Sequence, residues 1–312
     1  MMANSNTVIK KRLLLFLLFS FALAWVLFLI IPLASLQEQG PFATVIILTA
    51  AMFAPAIGSI LTRLATKEGF RSMYLRPRFK GNRKVYLLTF FGPTLLILLS
   101  AAFYFAIFPQ RFDSSLSVLT GSLQQSPAAP ALSGPILLLL TLVQMIIIGP
   151  VINLIPTMGE ELGWRGYLLP KLRELFSDRA ALLLSGIIWG IWHAPIIAVG
   201  HNYGTAYPGY PWLGILTMIV FCVSVGIIEG YVTIRVGSAI PAGMIHSAIN
   251  AGAALPMMMI IGDYNPIIGP SIVGLLGGLP LLLVAALLFF KSSGRRSEPC
   301  AQDAAAKREI NA

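Results

Sequence analysis

Three short motifs combine the side chains that hydrolysis of an amide bond requires. They read Glu160-Glu161-x-x-x-Arg165, Trp189-x-x-x-His193 and His246-x-x-x-Asn250. A carboxylate with a histidine can deprotonate a water molecule. A second histidine with an amide donor can stabilise the oxyanion that forms when this water attacks a carbonyl. If the helices that carry the three motifs adjoin, this combination favours amide hydrolysis.

The first motif separates two acidic roles. In a helix, Glu161 and Arg165 are four residues apart and share one face, with the acid before the base, which is the favourable order. Glu160 points about 100° away. Arg165 can therefore hold Glu161 as an ion pair while Glu160 stays available for proton transfer. The alternative is a solvated helix end with a purely structural pair.

The second motif lies deep in an apolar segment. His193 follows Arg179 by about fourteen residues, which at about 1.5 Å per residue brings it well inside the hydrocarbon layer. Trp189, one turn earlier, offers a flat wall, and Pro195 leaves the carbonyl of Ile191 without its helical donor. The alternative is a core histidine that only bonds this or another carbonyl.

The third motif lies in a helix that the sequence predicts to start near Ser238, an N-cap residue, with Pro241 in its first turn. This start puts His246 and Asn250 on one face near the middle of the bilayer. Polar side chains in lipid need a partner or a cavity, so they are candidates for function. The alternative is a pair of hydrogen-bonding groups that join neighbouring helices.

Composition shows which elements must position these motifs. The chain has 312 residues, of which 57% are hydrophobic and 11% charged, whereas about a quarter of a soluble domain is charged. Its mean hydropathy is +0.82. Two cysteines exclude a disulfide-rich secreted scaffold. We predict an all-α polytopic membrane protein with about eight transmembrane helices. The predicted spans are 13–36, 42–62, 85–108, 135–156, 180–200, 212–235, 238–261 and 267–290.

The net charge of +10 is explained by membrane topology. If the basic cluster at 10–12 is cytoplasmic, 21 of the 22 basic residues fall on that side and only Arg111 lies outside. We therefore predict a cell-membrane protein with cytoplasmic termini and no nucleic-acid partner. The basic loop 63–84 can attract anionic lipid. The predicted parts are a cytoplasmic segment 1–12, one transmembrane domain 13–290 and a disordered cytoplasmic tail 291–312.

The three motifs together resemble the signatures of the CPBP family, the CAAX-protease and bacteriocin-processing intramembrane endopeptidases, also called the abortive-infection family. The similarity covers about residues 140–255 and includes the stretch EELGWRGYLLPKL, which runs from Glu160 to Leu172. One position departs from the family pattern. The second motif begins more often with Phe, and Trp189 preserves an aromatic wall there.

The resemblance implies an α-helical endopeptidase with an intramembrane site that is open toward the cytoplasmic leaflet. Glu160 and His193 would activate water, and His246 and Asn250 would form the oxyanion hole. Glu161 and Arg165 would support the site. The implied substrates are membrane-associated or lipidated peptides or proteins. The eukaryotic branch removes the last three residues of prenylated CaaX proteins, but nothing in this sequence assigns that substrate, and some relatives are associated with bacteriocin self-immunity.

Two other functions stay open at this point. A transporter would also place Glu, His and Asn in its spans to line an ion path, although the two halves of the chain show no internal repeat. A non-catalytic binding or immunity protein could share the fold, although every polar residue of the three motifs is present. Glu229 in the sixth predicted span is either a structural partner of a basic residue or part of a site.

The same side chains raise the question of a metal. Two histidines and a glutamate are ligand types of a hydrolytic zinc site. The sequence has no His-Glu-x-x-His arrangement, and Asn250 is a better amide donor than zinc ligand. We therefore expect no cofactor and no bound metal, with zinc as the alternative.

Overall fold

The computed structural model describes residues 2–36, 38, 40–124 and 133–294, and this part of the chain is helical without a β-strand. The α-helices are α1 Met2–Leu33, α2 Pro41–Ala51, α3 Ala54–Ala65, α4 Arg83–Ile107, α5 Ser117–Gln124, α6 Gly134–Val143, α7 Gly149–Gly163, α8 Leu169–Leu175, α9 Asp178–Trp192, α10 Ala194–Ile197, α11 Trp212–Val236, α12 Ile240–Gly252 and α13 Leu279–Lys291. Two π-helical segments, Gln144–Ile148 and Trp164–Leu168, join α6 to α7 and α7 to α8. The all-α prediction is confirmed.

Five helical segments of the described chain are long and apolar enough to cross a membrane. They are Asn6–Leu33, Phe42–Ala65, Arg83–Ile107, Gly134–Leu175 and Trp212–Val236, and α13 is a shorter apolar helix. The protein is therefore a multi-pass membrane protein, as predicted. The number of eight spans stays a prediction, because α9 and α12 are only 15 and 13 residues long.

The last predicted span, 267–290, is helical only from Leu279 onward. The preceding residues form a tight chain reversal that side chains would obstruct. Gly269 has a φ of +141°, and a Cβ at Gly274 would lie 2.7 Å from the backbone of Gly269. Glycine accepts both the unusual dihedral angle and the close approach. The run is apolar enough to span, but its glycines favour a compact turn.

The depth of the first motif follows from the packing of α7 against the junction of α2 and α3. A Cβ at Gly159 would lie 2.9 Å from the carbonyl oxygen of Met52, so only glycine allows this approach. Met52 and Phe53 fall near the middle of the span Phe42–Ala65. Glu160, which simple counting along the sequence places near the cytoplasmic surface, therefore lies at mid-depth.

The second and third motifs are brought to the same region by close helix packing. A Cβ at Gly190 of α9 would lie 2.6 Å from the Cα of Ile219 on α11, so these helices touch along their backbones. Helix α12 packs against α7, α4 and α11. The motifs thus sit on three helices that surround one another.

The helices at both ends of the chain reach into the segments that were predicted to flank the transmembrane domain. Helix α1 begins at Met2, so the predicted cytoplasmic segment is helical and continuous with the first span. At the other end, Arg179 donates to the carbonyl of Phe290 at 2.7 Å and fixes the end of α13. The rest of the predicted tail, 295–312, and the loop residues 125–132 lie outside the described residues.

Candidate active site

Glu160 is held by two indole groups on one of its oxygens. Its Oε2 accepts hydrogen bonds from Nε1 of Trp189 at 2.8 Å and from Nε1 of Trp164 at 3.2 Å. The residue is only 3% exposed and lines a cavity that the three motifs share. Because both donors use Oε2, Oε1 is left to face the cavity. The carboxylate is therefore fixed in orientation but keeps one oxygen for a ligand.

Glu161 points about 100° away from Glu160 around α7, into a fully buried charge cluster. Its Oε1 lies 2.8 Å from Nη1 of Arg165, so the predicted pair is present. Nη2 of Arg165 lies 2.6 Å from Oε2 of Glu229 on α11. The guanidinium also stacks 4.4 Å from the ring centre of Trp189. Glu229, whose role the sequence left open, is the second partner of Arg165.

His246 is oriented by Glu161. Its Nδ1 lies 2.9 Å from the same Oε1 that Arg165 contacts. A carboxylate can only accept in this bond, so Nδ1 carries the proton and Nε2 is the free ring nitrogen. Asn250 lies one helical turn further along α12, and both residues line the cavity. The predicted juxtaposition of the two side chains on one face is confirmed.

His193 caps the C-terminal end of α9. Its Nδ1 lies 2.9 Å from the carbonyl oxygen of Trp189, so the acceptor is this carbonyl and not that of Ile191. A carbonyl cannot donate, so Nδ1 again carries the proton and Nε2 is left as an acceptor when the ring is neutral. The ring of Trp192 packs edge-on at 4.8 Å. Both histidines thus carry a proton on Nδ1 and direct Nε2 away from the backbone or carboxylate that holds the ring.

One cavity of about 440 Å³ unites these groups. Of the six predicted site residues, Glu160, His193, His246 and Asn250 line it, while Glu161 and Arg165 lie behind Glu160 and His246. The remaining walls are mainly apolar. They include Phe28, Leu48, Met52, Met218, Phe221 and Met257. This arrangement can hold an apolar chain next to a carboxylate, two imidazoles and an amide.

Sequence reasoning missed two residues of the site and named a third without its partner. Trp164 is a donor to Glu160, and the third histidine, His201, lines the cavity. Glu229 was predicted to pair with a basic residue, and that residue is Arg165. The spacing of four between Glu160 and Trp164 was a usable signal for the first contact. Glu229 and His201 come from other helices and loops, and no spacing in the sequence connects them to the motifs.

The described residues offer one cluster with the composition of a metal site. Glu161, Glu229 and His246 bring ligand atoms within 4.8 Å of one another. The zinc alternative needs two histidines and a glutamate, whereas this cluster contains one histidine and two glutamates. Its two carboxylates already face the guanidinium of Arg165 at 2.8 and 2.6 Å. A divalent cation would have to sit beside this fixed positive charge, so these residues do not fit a metal ion.

A second ionic cluster joins the basic loop 63–84 to α8. Glu68 lies 2.5 Å from Nζ of Lys171 and accepts a hydrogen bond from the hydroxyl of Tyr167 at 2.9 Å. Burial alone would raise the pKa of Glu68, but Lys171, Arg63 and Arg12 together hold it below its ordinary value. The carboxylate of Glu68 thus connects the start of the basic loop to α8, the helix that follows the first motif.

The fold and this site define a class of protein: a multi-pass helical membrane protein in which a glutamate, two histidines and an asparagine line one cavity. Residues 135–252 match the sequence model of the family described as Type II CAAX prenyl endopeptidase Rce1-like. The match falls on the part of the chain that carries the three motifs, so the predicted resemblance to this family is confirmed there. A stretch of 44 residues is 48% identical to CAAX prenyl protease 2 of Methanococcus maripaludis. The alignment spans 14% of this chain and 16% of that protein.

Proposed function

We propose that the protein is an intramembrane endopeptidase in which Glu160 activates water. The observation that carries this proposal is the state of Glu160: two indole donors fix Oε2, and Oε1 faces a cavity that also contains both histidines. A structural glutamate in lipid would be expected to use both oxygens on fixed partners. Here one oxygen is left for a water molecule.

In the proposed reaction, Oε1 of Glu160 takes a proton from water, and the resulting hydroxide attacks the carbonyl carbon of the scissile peptide. Nε2 of His193 accepts a hydrogen bond from the other O–H of this water and orients it, and that hydrogen stays on the attacking hydroxide. When the C–N bond breaks, the proton on Glu160 moves to the leaving amine. Glu160 thus takes a proton from water and returns it to the leaving amine, so it acts first as general base and then as general acid.

His246 and Asn250 stabilise the oxyanion in this scheme. Because Nδ1 of His246 donates to Glu161, Nε2 can donate to an oxyanion only when the ring carries both protons. Glu161 and Glu229 share the guanidinium of Arg165, and the carboxylate of Glu161 also contacts the ring of His246, which favours this charged ring. The amide of Asn250 supplies the second donor. Glu161 and Arg165 act through His246 and are positioning residues.

We propose that the reaction needs no bound metal, because the guanidinium of Arg165 already fills the position between Glu161 and Glu229 that a metal ion would take. Purified protein treated with a strong chelator should then cleave at an unchanged rate. Loss of cleavage on chelation that zinc alone restores would contradict this part of the proposal.

The relative from Methanococcus maripaludis is named for prenylated CAAX substrates. For this chain we propose the broader class of membrane-associated or lipidated peptides and proteins, because the walls of the cavity are apolar. The proposed setting is the cell membrane with both termini in the cytoplasm. The test is cleavage of a peptide library, including prenylated peptides, by protein purified in detergent.

Glu160→Gln should lower the cleavage rate by about 10²–10⁴-fold, the usual contribution of a general base. Glu38→Gln is the matched control, because Glu38 is an exposed acid outside the cavity. It should cleave like the wild type. Wild-type protein that cleaves nothing in a broad library would favour the non-catalytic binding function, and proton flux in vesicles that depends on Glu160 would favour a transporter.

A further inference from the structure

Glu229 is a fully buried acid on α11 that does not line the cavity. Its Oε2 lies 2.6 Å from Nη2 of Arg165. Among the described residues, no other donor bonds to either of its oxygens. A carboxylate is costly to place inside an apolar span, so an acid at this position is a candidate for function. The one contact of Glu229, with Arg165, indicates where this function lies.

Helix α11 leaves room for the guanidinium of Arg165 beside Glu229. Gly226 precedes Glu229 by three residues, so the two lie on one face of the helix. A Cβ at Gly226 would lie 3.3 Å from Nη2 of Arg165 and 3.2 Å from the Cα of Gly186 on α9. A side chain at position 226 would therefore crowd the guanidinium. The sequence of α11 thus combines a glycine and an acid at the place that Arg165 reaches.

The charge of Glu229 acts on His246 as well as on Arg165. One carboxylate oxygen of Glu229, one of Glu161 and one ring nitrogen of His246 lie within 4.8 Å of one another. A negative charge at about 4–6 Å favours the charged form of an imidazole. The charged ring that the proposed oxyanion hole needs is thus favoured by two carboxylates, one in contact with the ring and one nearby.

The number of charges in this cluster explains why one carboxylate is not enough. Glu161 contacts Arg165 at 2.8 Å and His246 at 2.9 Å through the same oxygen. When the ring of His246 is charged, one negative group faces two positive ones, and all three side chains are buried. A net charge in an apolar environment is costly. The carboxylate of Glu229 supplies the second negative charge and makes the cluster neutral.

The other groups around His246 cannot supply a constant negative charge. Glu160 lines the same cavity, but in the proposed reaction it takes up a proton in the step that forms the oxyanion. His193 also lines the cavity and has no negative form in this reaction. The ring of Trp189, which packs edge-on at 5.2 Å from His246, is neutral. Glu229 takes no part in the proton transfer, so its charge stays the same throughout.

We infer that Glu229 is a positioning residue that keeps His246 charged, so that the ring can donate to the oxyanion. It acts through Arg165 and through its own charge, without touching the substrate. This inference rests on the proposed function, in which Nε2 of His246 donates to the oxyanion. A purely structural Glu229 would only join α11 to the segment that carries Arg165.

The experiment is NMR of the ring nitrogens in protein purified in detergent with labelled histidine. The chain has three histidines, so the signals of His246 can be assigned with His246→Gln. Glu229→Gln removes the charge with little change in shape. Thr217→Val is the matched control, because Thr217 is also buried on α11 and its hydroxyl donates to the carbonyl of Leu213 in the same helix. Thermal unfolding checks that each variant is folded.

At a pH at which both ring forms are detected, the ratio of charged to neutral His246 should be about tenfold lower in Glu229→Gln than in the wild type. This factor is the lower end of the effect of one nearby opposite charge. Thr217→Val should match the wild type. Glu229→Gln should fold, because Arg165 keeps Glu161 as a counterion at 2.8 Å. Glu229→Met is a second neutral variant and should show the same lower ratio.

The inference is overturned if a folded neutral variant keeps the wild-type ratio, or if His246 is neutral in the wild type at every pH at which the protein is folded. Once a cleaved peptide is known, kcat of Glu229→Gln should fall with little change in KM. An unchanged kcat would overturn the inference and leave the proposed function standing. A charged His246 that depends on Glu229, in a protein that cleaves nothing, would contradict the proposed function and retain the charge assignment.

Discussion

The substitution Glu161→Gln tests whether two adjacent glutamates have different roles. Glutamine has nearly the same shape, and its oxygen can still accept the hydrogen bond from Nδ1 of His246, now 2.9 Å from Oε1 of Glu161. Arg165 keeps Glu229 as a counterion at 2.6 Å. The variant should therefore fold, and its defect should reach the reaction only through the orientation and charge of His246.

The size of the defect follows from the bond that changes. A hydrogen bond to a charged group contributes about 1.5–3 kcal/mol and a neutral one about 0.5–1.5 kcal/mol. The difference of about 1–1.5 kcal/mol corresponds to roughly a 5- to 13-fold loss of rate. We expect this loss in kcat with little change in KM, because His246 acts on the oxyanion and not on the bound substrate. Glu160→Gln should lose about 10²–10⁴-fold.

The assay is cleavage of one peptide that the wild type cleaves, measured at several substrate concentrations for both variants. Thermal unfolding in the same detergent checks that each variant is folded. If folded Glu161→Gln loses as much activity as Glu160→Gln, the separation of roles is refuted. If Glu161→Gln is the more damaging of the two, Glu161 and not Glu160 is the base.

Two further changes test the structure around the site. Arg165→Met removes the cation that bridges Glu161 and Glu229 and should lower the free energy of unfolding by about 3–5 kcal/mol, seen as a lower unfolding temperature; an unchanged temperature would show that the cluster is not stabilised by this cation. Asp113 lies in the loop after α4, and hydrogen bonds from Ser115 and Ser117 hold the pKa of its carboxyl at about 2. Because the folded value is below the unfolded one of about 3.9, its stabilising effect is present above pH 4 and is lost as the pH falls toward 2. Asp113→Asn should therefore unfold at a lower temperature than the wild type at pH 7, and this difference should shrink below pH 4; a constant difference would contradict the assignment.

Local spacing predicted the contacts that lie within one helix. The pair of Glu161 and Arg165 and the shared face of His246 and Asn250 both follow from the repeat of about 3.6 residues per turn. The depth of Glu160 could not be predicted in this way. Counting along the sequence assumes a straight helix normal to the membrane. Here two π-helical segments interrupt the helical stretch Gly134–Leu175, and its position is set by contact with the α2–α3 junction.

Contacts between different helices could not be predicted from spacing either, because they depend on how the helices pack. Nothing in the spacing of Glu229 indicates that it meets Arg165, since the two are 64 positions apart in the chain and the contact depends on how α11 packs. The last predicted span failed differently. Hydropathy measures whether a segment tolerates lipid, and 267–278 does, but its glycines allow a turn that a hydropathy average does not register.

The two adjacent glutamates show how one helix can prepare opposite environments a single residue apart. Glu160 faces neutral indole donors and a cavity, so its charge is stabilised by hydrogen bonds without a cation in contact. Glu161, rotated by about 100°, contacts Arg165 and His246 and is enclosed. A carboxylate in direct contact with a guanidinium is a poor base, because taking up a proton would break the ion pair. The acid without the cation is the one able to accept a proton from water, and the acid with the cation is the one able to hold an imidazole in place.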